Sequence, residues 1–249
     1  MKESFKKLFP FFFGGGKWKP GKEDRFRNFV ALGDSIVSDD YPGPDSGADS
    51  LLHLNKNERF PAFQGLDLRE KNPRLQFHNL TKTGWMLPDL LSKVETLKGS
   101  SEPTLIMVSA GGNDLLHAYA EMKPIEPALD NVQKQMEELK AKLKHLYPNQ
   151  VIRILNTYDP TDGTGLFQSG RHVPEGPEAL AALNSMLRDV AGSDLVDIHR
   201  HFLGHGIRHA DPQFHHHDPD DPSGWFKMDI EPNPRGAHEV RRKVWESIQ

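Results

Sequence analysis

Five short apolar runs alternate along this 249-residue chain with stretches of helical periodicity, and that alternation constrains the fold most strongly. The runs are 29–32, 76–80, 104–109, 151–156 and 195–198, each rich in Val, Ile, Leu or Phe and each followed by turn-forming or polar residues. Such runs read as strands of a parallel sheet buried on both faces. Between them, Leu129, Val132, Met136, Leu139, Leu143 and Leu146 recur three and four apart, which predicts an amphipathic helix over 127–146, stopped by Pro148-Asn149. A second helix is expected over 177–191, with Gly192 as its stop, and a third from Arg235 to the C-terminus, burying Ala237, Val240, Val244 and Ile248. Strands and helices in this order imply an α/β domain whose parallel sheet is covered on both sides.

No linker or repeat divides the chain, so residues 25–249 are expected to form a single domain behind a flexible tail, residues 1–24. The tail has a short apolar run, Leu8 to Phe13, broken by Pro10, which is too short for a secretory signal; the cytoplasm is the expected compartment. No segment approaches the roughly 20 apolar residues of a spanning helix, so stable membrane insertion is not expected. A net charge of −4 without a basic stripe argues against a nucleic-acid partner. The absence of cysteine excludes disulfides, a thiol nucleophile and a cysteine-based zinc site.

Three irregular stretches, 39–63, 159–175 and 199–227, are too long for simple connections and are expected to gather at the carboxyl edge of the sheet, where sites form. Ser35 falls just past the first strand, in "GDSI", where a nucleophile would face the crevice; Asp34 and Ser35 would also serve as ordinary helix caps there. After the second strand, Gly84 stands in a polar loop, and after the third, Gly111-Gly112 precedes Asn113. The Ser35 N–H, the Gly84 N–H and the Asn113 amide would together make a three-donor oxyanion hole.

These segments resemble the SGNH (GDSL-type) hydrolases of esters. Gly33-Asp34-Ser35-Ile36 is similar to the family's GDS-L block, Gly84 to its glycine block, and Gly111-Gly112-Asn113-Asp114 to its G-x-N-D block. The resemblance spans about Phe29 to Trp245. It implies a three-layer α/β/α, flavodoxin-like domain with Ser35 as nucleophile, a small-molecule ester as substrate, and no cofactor or metal. The chain has no G-x-S-x-G elbow, which counts against the α/β-hydrolase fold.

The last block departs from the family pattern D-x-x-H-P-N. Here it reads Met228-Asp229-Ile230-Glu231-Pro232-Asn233 with Gly236 beyond, so Glu231 stands in the histidine's place and Met228 in the aspartate's. A serine hydroxyl needs a group to take its proton, and a solvated carboxylate, with a pKa of about 4.3, is a weak base. Three readings follow. The preferred one brings in His205, whose flanking Gly204 and Gly206 would let the ring be placed freely, with Glu231 or Asp229 orienting it. In the second, a desolvated Glu231 is itself the base. In the third, the chain is a catalytically impaired binding protein on the same fold. His238 reads as a solvated histidine on a surface helix, and "FHHHDPDDP" (214–222) as a solvated acidic loop in preference to a metal site. Asp159, Asp162 and the glycines of 158–165 are expected to shape the pocket rim, in preference to a Ca²⁺ loop.

Overall fold

The computed structural model describes residues 26–249; the expected tail, 1–24, lies outside them. Five parallel strands make the sheet: β1 (Asn28–Gly33), β2 (Gln76–Thr81), β3 (Thr104–Ser109), β4 (Gln150–Leu155) and β5 (Leu195–Val196), in the order β2-β1-β3-β4-β5. The order reverses at β1, so β1 and β3 lead away from each other into flanking helices and leave a crevice at their carboxyl ends.

Both faces of β1 and β3 are covered, which is why these runs are apolar throughout. Phe29 and Ala31 point into one core cluster, which they share with Val240, Val244 and Trp245 of the helix α8 (Pro234–Ser247). Val30 and Leu32 point into the other, against α3 (Leu87–Val94), α5 (Ile125–Leu146) and α6 (Gly176–Ala191). The two long periodic helices thus appear within two residues of their expected starts. Between β1 and β2 the expected loop contains α1 (Ala48–His53) and is followed by α2 (Leu68–Lys71), both too short for periodicity to show. After β3 comes α4 (Gly112–Ala120).

The second run is not buried as expected. β2 is an edge strand whose residues are exposed or half-buried. Among the described residues it has one neighbour, β1, and its polar side chains, Asn79 and Thr81, hydrogen-bond to the buried carboxylate of Asp49 on α1 at 2.9 and 2.7 Å. Beyond β5 follow α7 (Ile198–Phe202) and an antiparallel hairpin of β6 (Phe226–Lys227) with β7 (Glu231–Pro232), which leads directly into α8. No helix among the described residues is long and apolar enough to cross a membrane.

Candidate active site

The chain leaves β1 through Asp34, whose Oδ1 accepts hydrogen bonds from Ile36 N at 3.1 Å and Ser109 Oγ at 3.0 Å. These pin the turn to the end of β3 and leave Ser35 at the crevice. Gly33 is needed for this close approach, because a Cβ there would lie 2.7 Å from Val37 and 3.0 Å from the Ser109 carbonyl. Burial pushes the Asp34 carboxyl up to about 7, and the nearby negative charge of Glu231 adds to the rise.

The loops after β2 and β3 are tied to this turn. Asp40 Oδ2 accepts from Thr83 N at 3.0 Å and Thr83 Oγ1 at 2.6 Å, and the Asn113 side-chain amide donates to the Trp85 carbonyl at 3.0 Å. Gly84 lies between those two anchors with φ of +79°, the left-handed region that glycine adopts without strain. The backbone N–H groups of Ser35 and Gly84 donate to no other described residue.

Glu231 enters from the hairpin. The Asn233 side chain caps α8 by accepting from Arg235 N and Gly236 N at 2.9 and 3.0 Å, and it donates to the Gly224 carbonyl at 2.8 Å. A Cβ on Gly236 would lie 2.3 Å from the Trp225 carbonyl. The Pro-Asn-x-x-Gly frame is therefore a structural device that holds β7 in place and sets Glu231 in the interior, 7% exposed. Burial raises its carboxyl above the usual range; the hydroxyls of Ser35 and Tyr41 oppose the rise as hydrogen-bond donors, and the negative charge of Asp40 reinforces it. Its Oε2 is buried without a hydrogen-bond partner among the described residues.

His205 is not placed as the sequence reading preferred. Its ring stacks on Trp225 with centroids 3.4 Å apart, its Nδ1 pairs with the Ser223 carbonyl at 3.1 Å, and it lines a second, smaller cavity that Ser35 does not reach. The flanking glycines serve the backbone, not the ring. Gly204 has φ of +92° and packs where a Cβ would lie 2.0 Å from the His216 carbonyl. Asp162 then fixes the segment by accepting from Gly204 N and Arg208 N at 2.9 and 2.8 Å. Asp229 is likewise engaged elsewhere, accepting from Ser169 N and Oγ at 2.8 and 2.7 Å, and Met228 is exposed.

His238 is buried, contrary to expectation. It stacks on Phe60 at 4.1 Å and its Nδ1 meets Arg241 Nη2 at 2.8 Å; burial, helped by the Arg241 charge, lowers its pKa to about 3. The face of α8 behind it is charged yet internal. Glu239 there is paired with His201, Arg235 and Arg242, which a hydrophobic pattern does not reveal. In the 214–222 segment, His217 Nδ1 pairs with the His209 carbonyl at 3.0 Å, and no group of three or more His, Asp or Glu among the described residues is placed to hold a metal ion.

Ser35 and Asn113 open onto a cavity of about 510 Å³ between α4, the start of α5, the 157–176 segment and α6. Its walls are mostly apolar: Ile36, Leu115, Tyr119, Ile125, Phe167 and Leu180 contribute. Asp159 stands on this rim as expected, its carboxylate turned to Thr161 N, Thr161 Oγ1 and Gly163 N.

The family model described as "GDSL-like Lipase/Acylhydrolase family" matches residues 31–238. The chain belongs to that family. Its class of chemistry is accordingly ester hydrolysis. No curated protein sequence matches this GDSL-like acylhydrolase. Solved structures do, at fold level. An acetyl xylan esterase, AlAXEase, superposes with a TM-score of 0.62 at 16% identity, over 89% of this chain and 100% of that one. Axe2, an acetylxylan esterase from Geobacillus stearothermophilus, gives 0.60 at 15% identity over 93% and 96%. A phospholipase A1 from Streptomyces albidoflavus NA297 gives 0.56 at 17% over 90% and 100%. The α/β sheet with helices on both sides is thus that of the SGNH hydrolases. Sequence reasoning missed Tyr41, whose hydroxyl acts on the Glu231 carboxylate. It lies six positions after Ser35 in an irregular loop, and nothing in its spacing marks it.

Proposed function

We propose that the protein is a serine ester hydrolase in which Ser35 is the nucleophile and Glu231 the proton acceptor. The observation that carries this reading is the buried carboxylate of Glu231 at the position where the family keeps its base, near enough to Ser35 for that hydroxyl to lower its pKa as a donor. A raised pKa makes Glu231 a better base than a solvated carboxylate. Ser35 Oγ attacks the ester carbonyl and passes its proton to Glu231. The oxyanion forms beside the Ser35 and Gly84 amides and the Asn113 amide, whose second N–H remains for it after the first is given to Trp85. Glu231, now a carboxylic acid, protonates the departing alkoxide. It then takes a proton from the water that attacks the acyl-Ser35 ester and returns it to the departing Ser35 Oγ, so that free acid leaves and both groups are restored.

The exchange of an imidazole for a carboxylate favours a second reading, a binding protein that retains the pocket without turnover. Purified protein separates the two. Hydrolysis of short p-nitrophenyl esters and fluorophosphonate labelling, both lost in Ser35→Ala, are the expected results. Neither turnover nor labelling in the wild type would overturn the hydrolase reading.

A further inference from the structure

The rim of the cavity that Ser35 lines bears one cation among its described residues, Arg171. Its guanidinium lies 4.6 Å from the centre of the Phe167 ring, and it forms no ion pair with a described residue. Arg171 also sits on a built turn. Phe167 N donates to the Arg171 carbonyl at 2.8 Å, Leu166 bridges His172, and Ser169 is held by Asp229 of the segment joining β6 to β7. The cation is thereby tied to the same hairpin that supplies Glu231.

We propose that Arg171 is a specificity-determining residue that selects amphiphilic esters: an apolar chain in the cavity and an anionic group at its rim. The inference rests on the ester-hydrolase reading and names its substrate class. Apolar walls exclude water from the chain, and a guanidinium stacked on an aromatic ring keeps its N–H edge available for a carboxylate or phosphate. The negative charge of Glu231 beside Asp34 and Ser35 disfavours an anion there, so the substrate's direction is set by charge. Asp159, the other acid on the rim, turns its oxygens into its own loop and leaves the guanidinium unopposed.

Matched substrates test it. The first arm compares mono-p-nitrophenyl suberate, with a carboxylate on the acyl chain, against p-nitrophenyl octanoate. The second compares 1-octanoylglycerol 3-phosphate, with a phosphate on the alcohol, against 1-octanoylglycerol. Because Arg171 is solvent-exposed, the expected preference in kcat/KM is about five- to tenfold for the anionic member of at least one pair, expressed mainly in KM. It should fall toward onefold in roughly 1 M salt, where screening reaches about 3 Å. Arg171→Gln should remove the preference without changing turnover of the neutral ester, Arg171→Lys should keep part of it, and Arg171→Glu should invert it. The arm that responds identifies which side of the ester carries the anion. Equal turnover of both members of each pair, or an equal loss on both in Arg171→Gln, overturns the inference and leaves the hydrolase reading standing. Should the wild type hydrolyse none of them, the hydrolase reading fails. Calorimetric binding of monomethyl suberate against methyl octanoate, to wild type and Arg171→Gln, then decides the role of Arg171 by the same criterion.

Discussion

Replacing Glu231 by glutamine keeps the shape of the site and removes the proposed base. A positioned general base contributes about 10²–10⁴ in rate, or roughly 3–5 kcal/mol of barrier. Glu231 is expected at the lower end, near 10²-fold in kcat, because a carboxylate holds the serine proton less firmly than imidazole does. The fold should not suffer. Oε2 makes no hydrogen bond with a described residue and burial already disfavours its charge, so a neutral amide loses no paired group. The melting temperature of Glu231→Gln should therefore equal or exceed that of the wild type, which separates lost chemistry from lost structure. The pH profile supplies the sign. The ionised carboxylate is the active form, so kcat/KM should fall as pH drops through its raised pKa, giving an acid limb centred above 4.5. Asp34 titrates at about 7 beside it, and that value depends in part on the Glu231 charge, so any limb left in Glu231→Gln should move to lower pH. Stopped-flow hydrolysis of p-nitrophenyl acetate from pH 4 to 9 measures all of this. A variant within threefold of wild type, with its acid limb unmoved, would refute the assignment.

Asn113→Ala should lower kcat by about 10²-fold with little change in KM, since the amide is assigned to the oxyanion and not to the ground-state ester; a KM effect alone would point to substrate binding instead. Asp34→Asn should stabilise the fold above neutral pH. The folded carboxyl is raised from 3.8 to about 7, so its contribution is fully present below pH 4 and is lost as pH rises to 7, by at most roughly 4 kcal/mol. Urea midpoints at pH 5 and 8 should therefore diverge less in the variant than in the wild type, and equal divergence would show that Asp34 is not the group responsible.

By itself the sequence determined the layered sheet and the strand ends that carry Ser35, Gly84 and Asn113. Hydrophobic period and turn residues are local properties, and parallel strands place their carboxyl ends together. It marked the Pro-Asn-x-x-Gly frame around Glu231 as well, because a helix cap and a glycine at a close approach have fixed chemistry. The base was another matter. His205 and Glu231 lie on segments with no regular period, and which of them faces Ser35 depends on contacts distant in the chain. Trp225 and Ser223 hold the His205 ring, and Asp162, more than forty residues earlier, fixes its backbone. The same holds for β2, whose edge position follows from strand order, and for His238, buried by Phe60 and Arg241 on a helix whose charged residues read as solvated. Paired charges inside a protein look like surface charges in a sequence, and only the tertiary structure brings the partners together.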